Sequence, residues 1–182
     1  MKIEKKFTIN APIEKVWDII TDPKLIAQCI PGCKSVEEVE ENKYKASIEV
    51  VVGPIKTKFL VDITETEREK PNYAVYDTSG DEGGKASRVK AKSRLTLTAL
   101  DEASTEVCVV SDFNIVGRLG KFGSGMMNKI IDVLSADTIS ALAAFIERGE
   151  LPSAKKGKSK LTLIAIGILL LIIIGVLALV LY

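Results

Sequence analysis

The sequence predicts an α+β fold in which a curved antiparallel β-sheet wraps one long C-terminal helix, followed by a single transmembrane helix. Three observations lead to this prediction. Before residue 117, apolar and polar residues alternate in several runs, which is typical of antiparallel strands with one wet face. From residue 124 to about 148 the apolar residues recur every three or four positions, as in an amphipathic helix. Residues 161–182 carry no charged side chain.

The N-terminal part predicts one strand and two short helices. Residues 2–9 alternate in the manner of a strand. Asn10 is a candidate N-cap for a short helix that has Pro12 near its first turn. Asp22 and Pro23 would end this helix and start a second one. The inward face of the strand would carry Ile3, Phe7 and Ile9.

Six further strands are predicted before the long helix. They are residues 35–40, 44–52, 55–63, 73–79, 86–99 and 106–116. The second and third of these would form a hairpin that turns at Gly53 and Pro54. Residues 81–84 would form another turn, and the four glycines within residues 117–125 indicate a loop.

The long helix is predicted over residues 124–148, with Gly149 at its C-terminal end and Pro152 shortly after. One broad apolar stripe would face the sheet. It consists of Met127, Ile130, Ile131, Leu134, Thr138, Leu142 and Phe145.

The last 22 residues, 161–182, predict a membrane span. As a helix they would be about 33 Å long, enough to cross a hydrocarbon core of about 30 Å. The alternative, a buried core helix, seldom runs so far without a charge. Since positive flanks stay inside, a single-pass cell-membrane protein with a cytoplasmic domain is expected. The flanking cations are Lys155, Lys156, Lys158 and Lys160.

The expected division is therefore a domain over residues 1–150, a basic linker over 151–160 and the transmembrane helix over 161–182. Residues 1–154 hold 21 basic and 24 acidic residues, so the domain is mildly acidic and a nucleic-acid partner is not expected. The N-terminus has no apolar run that could serve as a signal peptide.

The titratable residues argue against catalysis. The chain has no histidine, which removes the commonest general base and zinc ligand. Its three cysteines are an odd number and are expected to be free thiols. Packing is the favoured role of Cys29 and Cys33, and a redox pair or half of a metal site is the alternative. We expect no metal, no catalytic residue and no covalent cofactor.

A ligand cavity is expected between the helix and the sheet. One helix cannot fill a strongly curved sheet, and small inward residues such as Ala46, Ala91 and Ser111 leave further room. The flexible thioethers of Met126 and Met127 would suit an adaptable apolar pocket, with core packing as the alternative. The expected lining is Phe59, Val61, Val89, Val109, Phe113, Phe122, Met126, Met127, Ile130 and Leu134. The expected mouth is Gly53, Pro54, Arg118 and Lys121.

Several segments resemble a known family. The stretch APIEKVW, residues 11–17, is similar to the opening of the START/Bet v 1-like superfamily. More narrowly, three segments resemble the CoxG family of carbon monoxide dehydrogenase subunits. They are CIPGC at residues 29–33, VGPIK at 52–56 and GRLGKFG at 117–123.

This resemblance implies a helix-grip fold with an apolar cavity, beside a molybdenum hydroxylase of the carbon monoxide dehydrogenase type. Family members are thought to tie that enzyme to the inner face of the membrane, and some are implicated in carrying a quinone. We therefore expect a non-enzymatic, membrane-tethered protein that binds a quinone or another isoprenoid lipid. A pure docking module for that enzyme, without ligand transport, is the alternative. An enzyme is a third class, because relatives with this fold include cyclases and hydrolases.

Overall fold

A computed structural model of the protein describes residues 2–52, 55–82, 87–117 and 124–149. Within these residues the chain forms seven strands and three helices. The strands are β1 (Lys2–Ile9), β2 (Cys33–Glu40), β3 (Lys43–Val52), β4 (Ile55–Glu69), β5 (Tyr73–Glu82), β6 (Ser87–Asp101) and β7 (Ser104–Gly117). The helices are α1 (Ile13–Ile20), α2 (Pro23–Cys29) and α3 (Ser124–Arg148).

All the described strands belong to one antiparallel sheet, in the order β1-β7-β6-β5-β4-β3-β2. From β2 to β7 each strand pairs with the next along the chain, and β1 returns to pair with β7. Between β2 and β3 the chain turns through Asn42, whose φ of 59° lies in the left-handed region that asparagine tolerates. The predicted antiparallel sheet with a long C-terminal helix is confirmed.

The strands run further than the alternation predicts. Strand β4 continues six residues beyond Ile63, through an irregular register between Glu65 and Glu67. The prediction of a turn at residues 81–84 is wrong at its start, because Asp81 and Glu82 still pair with β4. Charged side chains interrupt the alternation of apolar and polar residues in this part of the sequence, but the backbone pairing of β4 with β5 continues.

The short helices begin differently from each other. Asp22 caps α2, accepting hydrogen bonds from the backbone N–H groups of Lys24 at 2.8 Å and Leu25 at 3.0 Å. The prediction that Asn10 caps α1 is wrong, since Pro12 occupies the cap position and no side chain caps that helix. Asn10 is instead bound by Glu147, at the far end of the chain's long helix.

Helix α3 is joined to the sheet by an ion pair and by buried side chains in its second half. Near its middle, Asp132 pairs with Lys5 of β1 at 2.6 Å. At its end Gly149 adopts a φ of 70° and donates its backbone N–H to the carbonyl oxygen of Phe145, confirming the glycine terminus. The described helix buries a stripe against the core, which consists of Ser135, Thr138, Leu142 and Ile146.

The core lies on the side of the sheet that the helices cover. Trp17 of α1, Ile26 of α2, and Leu142 and Ile146 of α3 belong to the same buried cluster as the inward side chains of the strands. Each fully buried aliphatic side chain of this size contributes roughly 1.5–3 kcal/mol of transfer free energy. This face therefore holds the apolar core that stabilises the domain.

No helix among the described residues is both long enough and apolar enough to cross a bilayer. The predicted span at residues 161–182, the linker at 151–160 and its four lysines lie outside the described residues.

Candidate functional site: an apolar cleft and a strip of buried hydroxyls

An apolar cleft opens between the α1–α2 corner and the inner face of the sheet. The cleft is shallow, because its space of about 410 Å³ includes open solvent and the enclosed part has room for about one water molecule. One wall comes from the two short helices and the other from strands β2 to β5. The lining residues are Ile20, Thr21, Pro23, Ile26, Val36, Tyr44, Ile63, Glu65 and Tyr76. Most are apolar, so the cleft suits an apolar body with a few polar contacts.

The polar end of the cleft is built around Glu65. Its side chain is only 6% exposed. Arg68 donates to both carboxylate oxygens, from Nε to Oε1 at 2.6 Å and from Nη2 to Oε2 at 2.9 Å. This two-point geometry is the strong form of an arginine–carboxylate pair. The carboxylate is thus held in place with its charge compensated.

Two tyrosines border this carboxylate, and both remain protonated phenols at neutral pH. Burial raises the pKa of Tyr76 far above its usual range, and the charge of Glu65 and a hydrogen bond with it add to the rise. Burial also raises the pKa of Tyr44, with further contributions from Glu38 and Glu65. Both hydroxyls are therefore neutral hydrogen-bonding groups.

The helix wall is held by contacts to the same corner. The guanidinium carbon of Arg68 lies 5.5 Å from the centre of the Trp17 ring, within cation–π range. Thr21, at the end of α1, donates its hydroxyl to the carbonyl oxygen of Trp17 at 2.9 Å. Lys70 and Asp18 add an ion pair at 2.7 Å. The strand that carries Glu65 and the helix that lines the cleft are thus joined directly.

A line of buried hydroxyl side chains continues from the cleft across the sheet. In the register, Glu65 pairs with Tyr76, Tyr76 with Ser93, and Ser93 with Ser111. Directly paired residues of neighbouring strands point to the same face, so these side chains form one row. Thr78 lies two positions beyond Tyr76 and shares its face. We call Tyr76, Thr78, Ser93 and Ser111 the hydroxyl strip.

The hydroxyl strip is buried, and only some of its hydroxyl groups have hydrogen-bond partners in the described structure. Ser93 and Ser111 share a hydrogen bond of 2.8 Å between their hydroxyl oxygens. The hydroxyl of Thr78 is buried and has no hydrogen-bond partner in the described structure, and the same holds for Thr138 on α3. Each such hydroxyl costs about 1–3 kcal/mol relative to a satisfied one. The inner face therefore offers unmet hydrogen-bonding capacity.

A second inward carboxylate lies at the end of β5. Glu82 is 5% exposed and accepts a hydrogen bond from the hydroxyl of Ser87 at 2.8 Å. Its position pairs with Phe59 of β4, on the inward face. Within the described residues, no group of three or more histidine, cysteine, aspartate or glutamate side chains could hold a metal ion.

The predicted cavity residues fall into two groups. Phe59, Val61, Val89 and Val109 are buried in the core cluster, as the alternation predicts, but none of them lines the cleft. Their contact with a ligand stays a prediction. For Phe113, Met126, Met127, Ile130 and Leu134 only the backbone is described, while Phe122 and the predicted mouth (Gly53, Pro54, Arg118 and Lys121) lie outside the described residues.

The cysteines are free thiols, as predicted. Cys29 is buried, and burial raises the pKa of its thiol to about 11. Burial also raises the pKa of Cys33, against a smaller opposite effect of a hydrogen bond to the Ser35 backbone. Raised thiol pKa values disfavour the nucleophilic thiolate, which is consistent with a packing role.

Sequence reasoning missed Glu65, Thr78, Glu82 and Ser93, although a signal for them existed. Glu65 continues the period of Phe59, Val61 and Ile63, and Glu82 continues that of Tyr76 and Thr78. The predicted strand ends at residues 63 and 79 exclude Glu65 and Glu82, and continuing the alternation past those ends places both on the inward face. Thr78 and Ser93 lie inside predicted strands, at positions that the alternation already places inward.

Solved structures share this architecture. A conserved protein from Geobacillus kaustophilus is 23% identical, with a TM-score of 0.76, and the match covers 82% of this chain and 97% of the other. A START superfamily protein from Mycobacterium smegmatis is 16% identical, with a TM-score of 0.63 over 82% and 99% of the two chains. The Zhui aromatase/cyclase from Streptomyces sp. R1128 is 17% identical, with a TM-score of 0.62 over 81% and 94%. No curated protein sequence matches the chain.

The domain thus has a helix-grip fold similar to that of these structures. Residues 6–147 match CoxG, a family of carbon monoxide dehydrogenase subunits, and the chain belongs to that family. The family name implies association with carbon monoxide dehydrogenase. The Zhui neighbour is named as an aromatase/cyclase, so the fold alone does not decide between binding and catalysis.

Proposed function

We propose that this protein is a membrane-tethered carrier that holds a lipophilic ligand, such as a quinone, and couples a molybdenum hydroxylase of the carbon monoxide dehydrogenase type to the membrane. The single observation that carries the binding role is the apolar cleft between the α1–α2 corner and the sheet. An apolar wall with a few fixed polar groups is the usual form of a small-molecule site.

The shape of the cleft supports a ligand with distinct apolar and polar ends. Ile20, Pro23 and Ile26 come from the helices, and Val36 and Ile63 face them from the sheet. Glu65 and the two tyrosines lie together on the sheet side. A quinone matches this division, since its isoprenoid tail is apolar and its ring carries carbonyl oxygens.

Tethering follows from residues 151–182 and rests on the sequence alone. Four lysines precede an uncharged stretch of 22 residues. Each lysine near an anionic bilayer surface contributes about 1 kcal/mol of attraction. A domain held there has a high effective concentration of both lipid and membrane-bound partner. The proposed location is therefore the cytoplasmic face of the cell membrane.

A cleft-filling variant tests the binding role. Val36 and Val39 both lie on β2, but Val36 lines the cleft whereas Val39 is 49% exposed. Val36→Trp should exclude the ligand and Val39→Trp should not. The measurement is native mass spectrometry, with lipid extraction, of full-length protein purified in detergent. Wild type and Val39→Trp should carry a co-purifying lipid that Val36→Trp lacks.

Absence of the expected difference in bound lipid would favour the alternative, a docking module without ligand transport. If wild-type protein carries no lipid, or if both tryptophan variants retain it equally, this cleft is not a carrier site. A pull-down of the molybdenum hydroxylase, with full-length protein and with a chain ending at Gly149, then tests coupling separately. Recovery of the enzyme with both chains supports docking through the domain. Recovery with the full-length chain alone assigns docking to residues 150–182, and no recovery contradicts the proposed partner.

A further inference from the structure

The hydroxyl strip meets the cleft at Tyr76, so hydroxyl groups lie next to the apolar lining on the inner face of the sheet. Tyr76 belongs to both, and Ile63 of the cleft pairs in register with Thr78. Thr78 itself does not line the cleft, so a molecule seated against Ile63 reaches the Thr78 hydroxyl only by extending one residue further along the inner face. The apolar helices cover one side of such a molecule, and the row of hydroxyls runs away from it across the inner face.

The unmet hydroxyl of Thr78 needs a partner of particular chemistry. It is 4% exposed, and its Oγ1 has no hydrogen-bond partner in the described structure. An O–H group donates well to a carbonyl or ether oxygen, and a ligand that supplies one removes the cost of the buried donor. An alkane leaves that cost in place. The site thus distinguishes an oxygen-bearing lipid from a hydrocarbon.

Charge adds a second criterion. The two described cations whose strand positions place them on this side of the sheet are Lys5 and Arg68. Lys5 is paired with Asp132 at 2.6 Å, and Arg68 is paired at two points with Glu65. A carboxylate or phosphate entering here would be desolvated beside the Glu65 charge with these cations already engaged. A neutral headgroup meets no such penalty.

We propose that the hydroxyl strip, with Thr78 as the donor, is the specificity-determining surface of the site and selects neutral lipids that carry carbonyl-type oxygens over fatty acids and phospholipids. This inference rests on the proposed ligand-binding function and names its substrate class. It does not depend on the membrane tether or on the partner enzyme.

The test compares three probes of equal length: methyl undecyl ketone, tridecanoate and tridecane. Binding to full-length protein in one detergent is followed by native mass spectrometry, so that probe partitioning into detergent is the same for every variant. Wild type should bind the ketone at least about tenfold more tightly than the carboxylate, which corresponds to about 1.4 kcal/mol.

Thr78→Val supplies the decisive variant, because valine has nearly the same shape without the hydroxyl. The ketone affinity should fall about tenfold while the tridecane affinity is unchanged. Thermal stability of the ligand-free protein should stay the same or rise, since an unsatisfied buried donor has been removed. Thr78→Ser, which keeps the hydroxyl, should retain ketone binding. Thr98→Val, on the exposed part of β6, is the matched control and should change neither property.

Two results would overturn the inference and leave the carrier function intact. The first is that Thr78→Val binds the ketone as tightly as wild type does. The Thr78 hydroxyl would then donate its hydrogen bond to a water molecule or to nothing, and not to the ligand. The other is tridecanoate binding to wild type as tightly as the ketone. If wild type binds none of the three probes, the proposed function fails together with the inference.

Discussion

One carboxylate oxygen of Glu147 accepts two hydrogen bonds from Asn10, from its backbone N–H at 2.8 Å and from its side-chain Nδ2 at 2.9 Å. This contact joins the last turn of α3 to the residue that follows β1. The two ends of the domain therefore close on each other through one side chain. Since β1 also pairs with β7, the N-terminal strand is fixed on both its sheet side and its helix side.

Glu147→Ala should lower the free energy of unfolding by about 1–2 kcal/mol, because both donors of Asn10 lose a charged acceptor. Urea unfolding measures the change. Glu102→Ala, at an exposed turn between β6 and β7, is the control and should remain within about 0.5 kcal/mol of wild type. Equal effects in the two variants would mean that the Asn10 contact contributes nothing to stability.

Arg68→Met should destabilise the domain by about 2–3 kcal/mol. The substitution leaves the Glu65 carboxylate, 6% exposed, without its two-point partner. Breaking a buried ion pair costs about 3–5 kcal/mol, and this arginine is 41% exposed, which reduces the loss. Equilibrium urea unfolding provides the measurement.

The double variant Arg68→Met with Glu65→Gln isolates the cause. Removing both charges should recover most of the lost stability, giving a large coupling free energy in a double-mutant cycle. Additive losses in the two single variants would show that packing of Arg68 on Trp17, rather than the ion pair, is the stabilising contact.

The raised pKa of the Cys29 thiol predicts that the folded domain loses stability at alkaline pH. Burial raises its pKa from 9.0 to about 11, so between these values the folded state holds a proton that the unfolded state has released. The contribution of this thiol is fully present below about pH 9 and is lost as the pH rises towards 11. Urea unfolding across this range should show a steeper decline for wild type than for Cys29→Ala. Parallel declines would contradict a protonated, buried thiol.

Thiol labelling gives an independent check on the same residue. In native protein near neutral pH, Cys29 should react with iodoacetamide more slowly than the half-buried Cys33 and Cys108. Peptide mass spectrometry of the labelled protein resolves the three sites. Fast labelling of Cys29 without unfolding would show that the thiol is accessible.

Residues 150–182 should determine membrane association. Full-length protein should sediment with membranes and resist an alkaline carbonate wash, as expected of an inserted helix. A chain ending at Gly149 should remain in the supernatant. Release of the full-length protein by carbonate would contradict insertion and would leave only electrostatic attraction through the four lysines.

The sequence predicts the order of strands and helices well because most strands show the same alternation of inward apolar and outward polar residues. Ile9, Val61 and Leu95 occupy inward positions of a period of two, and each is buried. Helix α3 begins and ends where the change of period and Gly149 predict. Local patterns suffice for these elements, since each strand pairs with its neighbour in the chain from β2 to β7.

The site was harder to predict because its polar residues interrupt the apolar pattern. Glu65 and Glu82 read as the charged ends of strands, but both point inward, and their partners Arg68 and Ser87 are identified only by the folded register. Asn10 was misassigned for a similar reason. A capping role is a local inference, whereas the contact it makes with Glu147 spans 137 positions.

The hydrogen bonds between Asn10 and Glu147 also fix the position of the C-terminal end of α3. Gly149 follows Glu147 by two residues, and Glu147 binds Asn10, which precedes α1 by three residues, whereas the far end of α1 lines the cleft. The eight residues of α1 span about 10–12 Å, so the departure point and the cleft are separated by a distance of that order. Any anchor attached beyond residue 149 would therefore act on the end of α1 opposite the α1–α2 corner, with the opening about one short helix away from the point of attachment.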